Sequence, residues 1–267
     1  MATFARQEVE GARCWRRRAM LELYFWPTPN GKKVTILLEE LGLSYTLRPT
    51  HIGRGDQFHP DFLRLSPNNR MPALLDTEPR NGGAPITIFE SGAIMMYLAE
   101  TGGRFWPQEP HKKYDVVQWV MWQMANQGPK FGEQGHFMRA SQTPANGDLS
   151  YPMRRFGDEV HRLYGVMNLG LFQKRFLAAG EYTIADMICY PWAAGWKMRG
   201  IDLDEFPNVK RWLAEIGERP AVRRGMAIGA ELQEDPETLS DEEKARRQKL
   251  LTNQRATPIP KEWIKAG

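Results

Sequence analysis

The strongest constraint in this 267-residue sequence is a change of character at Pro107. Upstream, short β-forming runs alternate with amphipathic stretches. Downstream, only helical periodicity remains. Such a chain is expected to fold as a small α/β domain followed by an all-helical one. Leu21-Glu22-Leu23-Tyr24-Phe25 alternates and is rich in β formers, which predicts a strand. Pro27-Thr28-Pro29-Asn30-Gly31 ends it. Val34, Ile36, Leu37, Leu38 and Leu41 then recur at helical spacing up to a stop at Gly42. Residues 45–52 predict a second strand, 61–65 a short helical turn, 72–76 a third strand and 86–89 a fourth. Ser91 opens a helix with Ile94, Met95 and Leu98 on its inner face, ended by Gly102-Gly103. The order over residues 20–102 is therefore βαβαββα.

Residues 103–112 are the expected linker, and 113–232 the helical domain, with amphipathic stretches over 116–124, 151–176, 183–197, 208–216 and 220–232. Residues 1–19 read as a disordered basic leader. Residues 233–267 read as a polar tail, in which Ser240-Asp241-Glu242-Glu243 fits a capping box and predicts a surface helix. The tail is assigned no catalytic role.

The chain is 42% apolar and 25% charged, with no run of about 18 or more apolar residues. The leader lacks the apolar core of a secretory signal, and Glu8 and Glu10 count against a transit peptide. A cytoplasmic protein with no membrane partner is expected. The net charge is +4, but the first twenty residues carry five Arg and two Glu, so the rest is close to neutral. No basic face interleaved with aromatics suggests nucleic acid. Cys14 and Cys189 form no C-x-x-C pair and share no metal-ligand spacing with the five histidines. They read as a thiol in the leader and a buried thiol in a helix, and no metal cofactor is expected. Any redox chemistry must then draw on an external thiol.

Three motifs carry a resemblance to a known family. Arg70-Met71-Pro72-Ala73-Leu74 resembles a strand opening after a cis-proline, Phe89-Glu90-Ser91-Gly92-Ala93-Ile94 an E-S ligand motif, and Thr183-Ile184-Ala185-Asp186 the capping box of a buried helix. Over residues 20–230 the chain resembles the glutathione S-transferase superfamily, which implies a thioredoxin-like N-terminal domain and glutathione as co-substrate. Proline is the residue at which a cis bond costs little. A cis bond before Pro72 would turn the Met71 backbone toward the cysteinyl unit of glutathione, against the plain reading of a trans proline at a strand start. Ser91, at a helix start, would hold the γ-glutamyl carboxylate, and Glu90 would face the α-amino group. The alternative for Ser91 is an ordinary helix cap. For Thr183 and Asp186 the capping role is the better reading.

Residues 24–33 join the first strand to the first helix, where superfamily members place the group that faces the glutathione sulfur. A thiol with pKa near 8.5 is mostly protonated at neutral pH, and a donated hydroxyl or amide hydrogen favours the thiolate. Thr28 and Asn30 lie at that entry; Tyr24 is expected to pack within its strand. The T-P-N-G pattern, Gly55-Asp56-Gln57-Phe58, Ser66-Pro67-Asn68-Asn69 and Gly135-His136-Phe137 resemble the bacterial Nu class, which includes glutathione-dependent disulfide-bond oxidoreductases. The resemblance implies that Thr28 and Asn30 contact the sulfur. It implies that Gln57, Met71, Pro72, Glu90 and Ser91 hold glutathione, and that Arg155 sits near a second molecule, with Arg154 as competitor. Lys32 and Lys33 read first as helix surface and second as steering groups for anionic glutathione. His136 reads as a pocket wall, and Trp119, Met121, Trp122 and Met124 as core or dimer packing.

Disulfide reduction is the first functional expectation. Conjugation to an apolar electrophile, or thiolytic cleavage of an aryl ether, is the second. A non-catalytic scaffold is the third. A homodimer is expected in each case.

Overall fold

The computed structural model describes residues 20–80, 82–235 and 238–252. The expected leader, with Cys14, lies outside them. These residues divide into two compact units. The first takes in the described residues up to Gly31, Leu43–Ile94 and those from Ile228 on; the second takes in Lys32–Gly42 and Met95–Ala227.

The first unit is built on four strands: β1 (Leu21–Phe25), β2 (Tyr45–Pro49), β3 (Ala73–Asp76) and β4 (Ile86–Phe89). Their order is β2-β1-β3-β4. The β1–β2 pair is parallel, and β1–β3 and β3–β4 are antiparallel. A parallel pair requires a crossover, and helix α1 (Pro29–Leu41) supplies it. The alternation read in β1 is that of burial: Leu21, Leu23 and Phe25 are buried, Glu22 and Tyr24 less so. Tyr24 packs on Phe62 of the short helix α2 (Pro60–Leu65), with ring centroids 6.2 Å apart. Helix α3 (Ser91–Gly102) follows β4 directly. The expected βαβαββα order is the observed one. The second and third strands are shorter than read, because β2 stops at Pro49 and β3 starts only at Ala73.

The second unit is helical: α4 (Pro110–Trp122), α5 (Gly128–Ala140), α6 (Ser150–Gly170), α7 (Ile184–Ala193), α8 (Pro207–Gly217) and α9 (Pro220–Ala227). A wide π-type turn over Gln123–Gln127 joins α4 to α5 without a break. Helix α7 is its buried axis, with Ile184–Cys189 wholly inside. The Thr183–Asp186 capping box forms, and the Asp186 carboxylate also accepts Leu177 N–H at 3.0 Å and Trp212 Nε1–H at 2.8 Å. The structural reading of that motif holds. Asp186 is a capping and packing group, and burial pushes its carboxyl up to about 6 against those donors.

One expectation needs correction. Lys32 and Lys33 are not surface residues: their relative exposures are 7% and 1%. Helix α1 is buried on all sides from Gly31 to Leu38, so the chain has no solvent face to give them. Lys33 Nζ donates to Gln123 Oε1 at 2.6 Å, with both groups buried. His136, read as a pocket wall, lies within α5, edge-on to Phe137 at 5.2 Å. Trp119 and Trp122 pack edge to face at 5.1 Å, while Met121 is 51% exposed. Among the described residues no helix is long and apolar enough to cross a membrane.

Candidate active site

Strand register alone brings four loops to one end of the sheet. Parallel pairing sets Phe25 beside Pro49, so the segments after β1 and after β2 leave together. Antiparallel pairing sets Ala73 opposite both Tyr24 and Phe89. The residues just before β3 therefore lie beside those just after β1 and β4. The loops and helix starts at this end carry Thr28 and Asn30, Gln57, Met71 and Pro72, and Glu90 and Ser91. These sequence-predicted residues, distant in the chain, share one edge of the first unit.

The peptide bond between Met71 and Pro72 is cis, as the resemblance implied. Next to it, Trp26 N–H donates to Met71 Sδ at 3.1 Å, and Thr28 Oγ1 lies 3.8 Å from the same sulfur. Thr28 Oγ1 also accepts Gly31 N–H at 3.4 Å, and Thr28 N–H donates to Trp26 O at 2.7 Å. The loop is thus a tight turn whose hydroxyl and amide hydrogens converge on a sulfur atom. Gly31 is required by this turn. A Cβ there would stand 2.4 Å from Trp26 O and 2.7 Å from the Phe25 ring. Thr28 and Asn30 are half-buried.

On the other side of β3, Glu90 adopts φ 72°, a left-handed conformation that a bulky residue enters at a cost. Its carbonyl accepts Ile94 N–H at 3.0 Å, closing the first turn of α3, and its carboxylate accepts Asn68 Nδ2 at 3.3 Å. Ser91 is buried at the helix start, where backbone N–H groups favour an anion. Gln57 is also buried. Its amide nitrogen donates to Ile52 O at 3.3 Å, and its Oε1 has no hydrogen-bond partner among the described residues.

One further group carries no signal in the sequence. His51, directly after β2, is buried, and its ring lies on Trp26 with centroids 4.0 Å apart. His51 Nε2 meets Glu234 Oε2 at 3.1 Å, a residue 183 positions away. No local pattern marks such a pair.

Arg155 belongs to the second unit. It lies exposed on α6 beside Arg154, in a helix that also carries Phe156, which stacks on Phe137 at 5.5 Å. Glu159, one turn on, has its carboxyl held below the usual range by Arg162 above all, with Lys130 and Arg155 adding to it. Cys189 is wholly buried, and burial pushes its thiol well above the ordinary range, so it is not a nucleophile. No cluster able to hold a metal ion exists among the described residues.

A profile described as the glutathione S-transferase N-terminal domain matches residues 19–100, and one for the C-terminal domain matches residues 157–220. The disulfide-bond oxidoreductase YfcG of Escherichia coli is 43% identical over 207 residues, covering 78% of this chain and 94% of the relative. The chain belongs to the glutathione S-transferase family. A second Escherichia coli relative, the disulfide-bond oxidoreductase YghU, is 39% identical and covers 78% of this chain and 74% of its own length. Among solved structures, a glutathione transferase from Burkholderia graminis with two glutathione molecules per subunit is similar at 36% identity. It has a TM-score of 0.73 and covers 83% of this chain and 94% of that one. A glutathione transferase from Pseudomonas putida with one glutathione disulfide per subunit is similar at 38% identity, with a TM-score of 0.72 and coverage of 83% and 98%. The family membership and the two-domain fold read from the sequence are both met.

Proposed function

We propose that this chain is a glutathione-dependent disulfide reductase acting at the sheet-end loops. The observation that carries the reading is the pair of donors, Trp26 N–H and Thr28 Oγ1, that address one sulfur atom beside Pro72. Donors able to address a thioether favour a thiolate more strongly, because a hydrogen bond to an ionised acceptor is about twice as strong as a neutral one. In this reading Thr28 and Asn30 stabilise the glutathione thiolate. The edge formed by Met71 and Pro72 aligns its cysteinyl backbone. Ser91 and the start of α3 take the γ-glutamyl carboxylate, Glu90 takes the α-amino group, and Gln57 offers its unpaired oxygen to a ligand N–H.

The chemistry balances with ligand thiols alone. A glutathione thiolate attacks one sulfur of a disulfide, the S–S bond breaks, and the second sulfur leaves as a thiolate and takes a proton. A second glutathione then attacks the mixed disulfide, giving glutathione disulfide and the other free thiol. Two glutathiones are oxidised for each disulfide reduced. Arg155 is the residue assigned to the second glutathione. The buried state of Cys189 supports a route without an enzyme thiol. The two disulfide-bond oxidoreductases among the relatives support the choice of a disulfide over an electrophile.

The enzyme is expected to act in the cytoplasm as a homodimer. The exposed Tyr114 and Met121 on α4 are consistent with a covered face, and sedimentation as a monomer at micromolar concentration would exclude it. The activity test is a side-by-side assay with glutathione and one of three partners: bis(2-hydroxyethyl) disulfide, a chlorodinitroarene or an aryl ether. Fast turnover of the disulfide is expected. A disulfide rate equal to the uncatalysed one, with turnover of either other partner, would transfer the reading to conjugation or ether cleavage.

A further inference from the structure

We propose that Glu234 is a positioning residue for glutathione binding, and that the segment it belongs to straps the Gln57 loop in place. The inference rests on the glutathione reading above. It concerns residues beyond 220, where the C-terminal family match stops.

After α9 the chain returns to the first unit. Gly229 sits so near the end of β1 that a Cβ there would lie 2.6 Å from the Phe25 ring. Five residues on, the Glu234 carboxylate gathers three partners: His51 Nε2 at 3.1 Å, Arg54 at 3.0 Å, and Arg247. Arg247 lies on helix α10 (Asp241–Thr252), opened by the Ser240–Glu243 capping box. This helix covers the turn after β2. A Cβ on Gly53 would stand 3.1 Å from Arg247 Nε, and one on Gly55 3.6 Å from Leu250. Arg247 above all, then His51 and Arg54, hold the Glu234 carboxyl down at about 2, so Glu234 is the ionised centre of the hub near neutral pH.

The hub connects to the site by two routes. Through His51, whose ring lies 4.0 Å from that of Trp26, it supports the residue whose N–H addresses the Met71 sulfur. Through the turn itself, it holds Gln57. His51 N–H donates to Asp56 Oδ2 at 2.8 Å, Gly55 N–H donates to His51 O at 3.2 Å, and Gln57 follows. A turn with two glycines in five residues has much freedom to lose on ordering. His51 Nδ1 and Gln57 Oε1 are buried polar atoms with no hydrogen-bond partner among the described residues. An arrangement that keeps such atoms out of water is unfavourable locally, and the strap is the element that sustains it ready for a peptide ligand.

The experiment uses the full chain carrying Glu234→Gln, Glu234→Asp or Arg247→Gln. Glu205→Gln is the control, because it breaks an exposed pair with His161 of the same 3.1 Å length in the other unit. Hydrogen exchange of residues 51–58 is measured without ligand, and KM and kcat for glutathione are measured with the small disulfide. If Glu234→Gln lowers the strapped fraction to about one fifth, KM rises about fivefold. The expected result is that rise with kcat within about twofold, faster exchange across 51–58, a smaller effect in Glu234→Asp, the same direction in Arg247→Gln and no change in the control. Unchanged exchange overturns the strap. Faster exchange with unchanged KM overturns the positioning role. If the wild-type protein neither binds glutathione by calorimetry nor reduces the disulfide, the glutathione reading fails. The strap then stands or falls on the exchange measurement alone.

Discussion

Replacing Gly31 by alanine perturbs the Thr28 loop without removing any group from it. Two effects of opposite sign compete. Alanine is worth up to about 1 kcal/mol over glycine inside a helix, and less at the third residue of α1. Against that, the new Cβ meets Trp26 O at 2.4 Å and the Phe25 ring at 2.7 Å. A carbon–oxygen contact settles at about 3.3 Å or more, so something must move by roughly 1 Å. The carbonyl is backbone and already accepts Thr28 N–H at 2.7 Å, and Phe25 is fully buried, so neither yields cheaply. Overpacking of this kind costs about 1–3 kcal/mol, and the clash outweighs the propensity gain. A net loss of about 1–2 kcal/mol lowers Tm by a few degrees in a chain of this size. The displaced Thr28 would also lower kcat/KM by up to about a hundredfold, the scale set by an ångström of misplacement. Gly157→Ala is the contrast. Beyond the helix's own backbone, no atom of the described residues lies within 4 Å of a Cβ there, within α6, so that variant should gain about 1 kcal/mol and keep its activity. Both variants are assayed by thermal unfolding and by disulfide reduction at 25 °C, well below the transition. A Gly31→Ala protein with wild-type Tm and kcat/KM would refute the close packing of this loop. A lowered Tm with untouched kcat/KM would refute its role in positioning Thr28.

Three further outcomes are expected. Arg155→Ala should raise KM for glutathione and weaken its second-order dependence, while Arg154→Ala, equally exposed on α6, should not; equal effects would remove the assignment to Arg155. Gln123→Leu should destabilise the protein by about 3 kcal/mol, because it takes an acceptor from a buried ammonium; a cost under about 1 kcal/mol would show that Lys33 does not depend on it. Burial holds Asp186 near 6, above its unfolded value of about 3.9. The folded state therefore binds the extra proton, and stability is lost as pH rises from about 4 to 6, by about 3 kcal/mol in all. The Tm gap between wild type and Asp186→Asn should narrow from pH 4 to pH 7, and a constant gap would contradict this.

Much of this was legible because it is written locally. The alternation of Leu21, Leu23 and Phe25 is the burial pattern of β1, and Thr183 with Asp186 announces the start of α7 within four residues. Helix α5 is illegible for an equally local reason: Gly-Pro-Lys-Phe-Gly-Glu-Gln-Gly carries three glycines and a proline, and only tertiary packing makes it helical. Lys32 and Lys33 misled because charge type is a weak guide when a helix is enclosed all round. In the site, the motif residues were readable one at a time, but their meeting at one sheet end needed the strand register. Glu234 was not readable at all. Its partner His51 is 183 residues away, and an acid in a polar tail has no distinguishing periodicity.

The register of β3 also limits how relatives of this chain can diverge. Ala73 faces Tyr24 on one side and Phe89 on the other. A one-residue slip there would turn the fully buried Leu74 to the opposite face. The same slip would carry Pro72 and Met71 away from Trp26. Core and site thus depend on a single alignment, and neither can drift without the other. Insertions and deletions should therefore accumulate at the far end of the sheet, in residues 77–85 between β3 and β4. There the connection lies at the opposite end of β3 and β4 from the residues of the proposed site.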